Sequence, residues 1–272
     1  MIQSIAVPTT TQAGVGELTR TWTPAEPPRG EVVIVHGLGE HSGRYERTGS
    51  ILAERGFAVR AFDLIGFGAS GGRRAYVEDW TDYLDQVQTH IEAARATGRP
   101  VALLGHSMGG AIALDYVLSS RPTPDALVLS APFLAGAQAW QRALAPVLAT
   151  VAPRLMIPNG LKGEQLSADP AVGEAYFADP LVQTKTSARL GAEMFTMQDR
   201  VNAHLAGLSV PALVMSGGSD TIVPPQSSLP LGSVAERVLY PKLRHELFNE
   251  PEGPQVVGEV ADWLDVTLTK SG

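Results

Sequence analysis

The sequence predicts an α/β protein, with a mostly parallel sheet flanked by helices and a helical cap inserted late in the chain. Three observations carry this. Short apolar runs of strand length alternate with helical patterns along most of the chain. The alternation lapses once, between Leu129 and Ala212, over a gap far longer than one crossover needs. A glycine-flanked serine, Gly105-His106-Ser107-Met108-Gly109, stands at one strand-to-helix junction.

Taken in order, residues 2–7 and 17–23 read as an antiparallel edge hairpin, and Pro24-Ala25-Glu26-Pro27-Pro28 leads from it into the core. Strands are expected at 32–35, 57–62, 101–104, 126–129, 212–215 and 237–240, because continuous apolar runs of this length suit strands covered on both faces. Helices are expected at about 44–55, 77–97, 108–119 and 254–269. Residues 133–208, broken by Pro146, Pro153, Pro158, Pro170 and Pro180, read as the cap, leaving 1–132 and 209–272 as the core. Inside the cap, Trp140, Leu144, Val147, Leu148 and Val151 recur on one helical face. That face either packs on the core or lines an apolar channel.

At 272 residues and 44% hydrophobic composition, the chain is large enough for one such core with an insertion. A net charge of −7 with no basic stripe argues against nucleic acid as a partner. The absence of cysteine excludes disulfides, thiol catalysis and thiolate metal sites. Neither a signal-peptide pattern nor an apolar run near the ~18 residues of a membrane span is visible, so the expected location is cytoplasmic.

The serine pentapeptide carries the chemistry. The apolar run 101–104 precedes it and a helical stretch follows, the setting of a nucleophile elbow. Such a turn lifts the Ser107 hydroxyl out of the sheet, and its sharpness leaves little room for Cβ atoms at Gly105 and Gly109. A serine needs a base. Of the six histidines, His106 sits in the elbow with its side chain expected to point away, His90 reads as a surface or packing residue in mid-helix, and His204 has no special setting. His245 follows the last strand, on the sheet edge where sites of open α/β sheets form. Asp220 ends the stretch after the preceding strand, so the order serine, acid, histidine is kept. Asp63 also ends a strand, but it comes too early in the chain for that order. Backbone N–H groups must meet the developing oxyanion. Met108, next to the serine, is expected to supply one, and Leu38 in His36-Gly37-Leu38-Gly39 the other.

Several segments resemble the monoacylglycerol lipases among the α/β-hydrolases. They are His36-Gly37-Leu38-Gly39-Glu40-His41-Ser42-Gly43-Arg44-Tyr45, Phe62 to Arg73, the elbow, Gly217 to Pro225, and His245 to Glu250. The resemblance implies an α/β-hydrolase fold and cleavage of monoacylglycerols to glycerol and fatty acid. It places Glu40 and Arg44 by a glycerol pocket and makes the cap the wall of an acyl channel. The alternative for Glu40 and Arg44 is a mutual ion pair at the start of the next helix.

These readings converge on a serine ester hydrolase acting through an acyl-enzyme, with Ser107, Asp220 and His245 catalytic. No metal or organic cofactor is needed. The partners expected are a small lipid ester and, through the cap, a transient peripheral contact with a lipid surface. A carboxylesterase, a lysophospholipase or a carbon–carbon bond hydrolase would use the same fold. A catalytically silent lipid-binding protein is the non-enzyme alternative, and it would usually lack one triad member. The elbow speaks against haloalkane dehalogenation, because that chemistry uses aspartate where Ser107 stands.

Overall fold

A computed structural model describes residues 1–11, 14–135 and 139–269. The chain opens with β1 (Ile5–Thr10) and β2 (Gly16–Trp22), an antiparallel hairpin. There follow β3 (Gly30–Val35), α1 (Glu46–Glu54), β4 (Phe57–Phe62), α2 (Thr81–Arg95), β5 (Val101–His106), α3 (Met108–Val117) and β6 (Ala126–Ser130). Next come α4 (Ala139–Val151), β7 (Met156–Pro158), α5 (Gly163–Leu166), α6 (Pro170–Ala178), β8 (Lys185–Ser187) and α7 (Ala188–His204). The chain closes with β9 (Ala212–Gly217), β10 (Glu236–Tyr240) and α8 (Gly253–Thr269).

Eight strands form one sheet in the order β1-β2-β4-β3-β5-β6-β9-β10, with every pair from β4 to β10 parallel. All six expected core strands are present, in the mostly parallel sheet flanked by helices that the sequence predicts. Successive side chains of a strand face opposite sides, so β3 feeds two cores. Val33 and Val35 pack with α2, α3 and α7, whereas Val32 and Ile34 pack with α1 and α8. A strand covered on both faces must be apolar throughout, which is why these runs carry no alternation.

The boundaries move for local reasons. The edge hairpin begins three residues later than expected, at Ile5, and its outermost strand β1 is exposed along its whole length. The helix expected from 77 starts at Thr81. Asp79 accepts hydrogen bonds from the Thr81 N–H and hydroxyl there, while Val77 and Trp80 are buried ahead of it. Pro146 does not break α4, which runs through it.

Within the span expected to form a cap, α7 covers the sheet. Leu190, Met197 and Val201 on its inner face join the core beside α3. By contrast α4 buries none of its residues and lies against α7, where Arg142 meets Asp199 and Gln198. Among the described residues, no helix is long and apolar enough to cross a membrane.

Candidate active site

Ser107 sits between β5 and α3 at φ 53° and ψ −118°, a conformation non-glycine residues seldom adopt. The strain is held by close packing on either side. A Cβ on Gly109 would come within 2.2 Å of the Val35 carbonyl oxygen, so only glycine lets α3 approach the neighbouring strand. The Ser107 N–H is taken by the Ser130 carbonyl at 2.9 Å.

His245 lies beyond β10 and Asp220 beyond β9, and the parallel sheet brings both to the end of β5. The Ser107 hydroxyl reaches His245 Nε2 at 3.0 Å, and His245 Nδ1 reaches Asp220 Oδ2 at 2.8 Å. Asp220 is fixed from behind, since its Oδ1 accepts the N–H groups of Ile222 (2.8 Å) and Val223 (2.9 Å). With Asp220 accepting, the ring proton sits on Nδ1 and the Nε2 lone pair faces the serine.

The other histidines divide by burial and partner. The His106 side chain does not point away as expected. Its ring packs at 4.8 Å from that of His245, and its Nδ1 lies 3.2 Å from the Ser130 hydroxyl. Burial, with His245 alongside, pushes its pKa down to about 4, so it stays neutral next to His245. His90 is buried rather than exposed, paired with Glu17 at 3.0 Å and stacked on Phe62. His204 is exposed, and its Nδ1 meets the Arg200 carbonyl. Asp63 is spent on Ser42 and the Ala69 N–H, holding the loop that follows the turn of His36 to Gly39.

That turn is pinned by side chains. The Leu64 N–H donates to His36 Nε2, so Nδ1 carries the proton and donates to the Gly37 carbonyl at 2.8 Å. Glu40 Oε1 accepts the Gly37 N–H at 2.6 Å and the Tyr45 hydroxyl at 2.8 Å. Glu40 Oε2 accepts from Arg44 at 2.8 Å, and Arg44 makes a bidentate pair with Glu246 at 2.6 and 2.7 Å. Burial alone would raise the Glu40 carboxyl. Arg44, with His106 and His36, outweighs that and holds it at about 2. The ion pair anticipated between Glu40 and Arg44 is therefore present, and Glu246 extends it to the residue after His245.

A cavity of about 410 Å³ opens over Ser107, with Leu38 and Met108 also in its wall. Trp140, Leu144 and Leu148 of α4 and Met194 and Phe195 of α7 make one side apolar. Glu40, His106, Asn159, Tyr176 and Glu246 bring polar groups into the lining. The recurring apolar face of α4 is exposed at Trp140, Leu144, Val147 and Val151, and its Trp140, Leu144 and Leu148 also border the cavity. Tyr176 and Glu246 escaped the sequence reading, although Glu246 adjoins the chosen histidine and its charge was the available signal. Tyr176 sits over the Arg44 guanidinium at 4.8 Å. Among the described residues, no cluster suited to hold a metal occurs.

The family model described as serine aminopeptidase, S33, matches residues 26–252. The monoacylglycerol lipase of Mycolicibacterium smegmatis is 35% identical over 93% of this chain and 95% of its own. The chain belongs to the monoacylglycerol lipase family. It is a carboxylic ester hydrolase. Phospholipase YtpA of Bacillus subtilis is 33% identical over 87% of this chain and 95% of its own. The solved monoacylglycerol lipase of Paleococcus ferrophilus superposes with a TM-score of 0.83 at 30% identity, covering 98% of this chain and all of that one. Within the monoacylglycerol lipase family, identity near one third leaves room for a different alcohol or acyl group, so the substrate has to be argued from the site.

Proposed function

We propose that this hydrolase cleaves monoacylglycerols to glycerol and free fatty acid through an acyl-Ser107 intermediate. The observation that carries the reading is the cavity over Ser107, whose lining joins apolar side chains of α4 and α7 to a polar group of Glu40, Tyr176 and Glu246 gathered around Arg44. An acyl chain suits α4 and α7, and an alcohol with free hydroxyls suits the side lined by Glu40, Tyr176 and Glu246. His245 takes the Ser107 proton as the oxygen attacks the ester carbon. The Leu38 and Met108 N–H groups hold the oxyanion. His245 then protonates the departing glycerol oxygen, and water attacks the acyl-enzyme by the same route. Asp220 keeps the imidazole in the required tautomer and stabilises its cation.

In this reading Glu40 borders the leaving group, and Arg44 stands behind it, outside the cavity lining, in ion pairs with Glu40 and Glu246. The polar side carries two carboxylates, Glu40 and Glu246, against one guanidinium, Arg44. This excess of negative charge disfavours a phosphate headgroup, and so favours a glycerol ester over a lysophospholipid. The cap, residues 133–208, would meet a lipid surface through α4. Val147 and Val151 are exposed there, and residues 126–163 contain Arg142, Arg154 and Lys162 but no acidic residue.

The test compares kcat/KM for a monoacylglycerol, the lysophosphatidic acid of equal chain length and a matching p-nitrophenyl ester. The monoacylglycerol is expected to exceed the phosphate-bearing ester by at least about tenfold, the effect of about 1.4 kcal/mol. Ser107→Ala is expected to remove about 10⁴-fold or more of every activity. Equal rates on the two lipids would refute the glycerol assignment, and more than a tenth of the activity in Ser107→Ala would refute the nucleophile.

A further inference from the structure

The insertion touches the oxyanion turn at a joint that the chemistry above does not use. Asp179, at the C-terminal end of α6, accepts from His41 Nε2 at 2.8 Å. The Gly43 N–H donates to His41 Nδ1 at 3.1 Å, which leaves the ring proton on Nε2 and makes Asp179 the acceptor. The other Asp179 oxygen accepts the Leu181 N–H at 2.8 Å and so shapes the turn that ends at Gln183. The Gln183 N–H then donates to the Gly39 carbonyl at 2.7 Å. One carboxylate holds His41 directly and Gly39 through a short turn.

The fit there has no slack. Gly39 sits at φ +80°, and a Cβ on it would lie 2.5 Å from the Gln183 carbonyl oxygen and 2.8 Å from the Tyr176 hydroxyl. Leu38 is therefore pinned on both flanks. The core holds Gly37 through His36 and Glu40, and the insertion holds Gly39 and His41 through Gln183 and Asp179. An oxyanion donor acts only if it is already aimed when charge develops, and errors of about 0.5 Å matter.

We propose that Asp179 is a positioning residue for the oxyanion hole, fixing through His41 and Gln183 the turn that aims the Leu38 N–H. The proposal rests on the assignment of Leu38 as a donor. It makes the α6 to β8 half of the insertion part of the catalytic framework, unlike α4, which buries nothing.

The experiment measures Asp179→Asn and Asp179→Ala, both checked for folding by circular dichroism, with Leu38→Pro as the reference. In Asp179→Ala, kcat is expected to fall at least about tenfold, below the roughly 10²–10³ of a wholly lost donor. The fall should be alike on a monoacylglycerol and a p-nitrophenyl ester of equal chain length, with KM within about twofold. Asn, whose amide oxygen still accepts from His41, should fall less than Ala. Affinity for an alkyl boronic acid, which forms a tetrahedral adduct on serine, should drop in step with kcat/KM, and affinity for the product fatty acid should not move. Unchanged boronate affinity or kcat in Asp179→Ala, or a rise in KM confined to the monoacylglycerol, would overturn the proposal. If Leu38→Pro alone loses boronate affinity, only the Asp179 role fails. If Leu38→Pro keeps it, the donor assignment fails and takes this proposal with it.

Discussion

Replacing Asp220 by asparagine changes one atom and inverts a hydrogen bond. Asp220 Oδ1 accepts two backbone N–H groups, from Ile222 and Val223, and Oδ2 accepts His245 Nδ1–H. In the Asp220→Asn side chain the amide oxygen must take the Oδ1 place. The flipped rotamer would set an NH₂ against two N–H donors 2.8 and 2.9 Å away. The NH₂ therefore faces His245 and forces its proton from Nδ1 to Nε2. That nitrogen then points N–H at the Ser107 oxygen, 3.0 Å away, instead of accepting its proton. The expected loss is about 10⁴ in kcat, or roughly 5.5 kcal/mol, as for other triads trapped in the wrong tautomer. Because the side chains are isosteric, the melting temperature should move by only a few degrees, about 1 kcal/mol or less. The assay is steady-state hydrolysis of p-nitrophenyl butyrate alongside the rate of fluorophosphonate labelling, and both should fall together. Folded Asp220→Asn with kcat within tenfold of the parent would refute the tautomer argument and the place of Asp220 in the site.

Three further outcomes are expected. Leu38→Pro, which removes the proposed donor, should cost about 3 kcal/mol in kcat while Leu38→Ala stays mild. Equal activities in two folded variants would exclude the backbone role. Leu144→Glu or Leu148→Glu, each on the apolar wall of the cavity, should impair long-chain esters far more than p-nitrophenyl acetate, and an equal loss on both would mark plain packing residues. Glu40→Gln should destabilise in a pH-dependent way. The Glu40 carboxyl is depressed from 4.5 to about 2, so its contribution is full above the ordinary pKa and lost as pH falls through about 2. The gap in melting temperature between parent and variant should be widest above about pH 5 and narrow toward pH 3. A constant gap would show that the Glu40 charge contributes nothing.

Much of the fold was legible because its determinants are local. A strand covered on both faces lacks apolar–polar alternation, and the four-residue apolar runs at 32–35, 101–104, 126–129 and 212–215 mark β3, β5, β6 and β9 directly. The exposed β1 was placed less well, since an edge strand with no buried residue has no pattern to read. Ser107, Asp220 and His245 were separable from their rivals by chain order and by position after strand ends, and they do meet in the structure. His106 was misread because an elbow residue at φ 53° turns its neighbours in directions that strand alternation does not give.

By itself the sequence determined the strands of the sheet and the elbow, through apolar runs and glycine spacing, and the three residues of the hydrogen-bonded chain, through chain order and position after strand ends. Tertiary structure alone decided what surrounds them. Arg44 and Glu246 pair across 202 residues, and His41 and Asp179 across 138. Folding brought α4 and α7 together into one apolar cavity wall, with α7 in the core and α4 outside it. Pairing between distant charges leaves no period in a chain, because any carboxylate can satisfy any guanidinium that folding brings within about 3 Å. Only the assembled sheet, with its parallel strands ending on one edge, selects which ones meet.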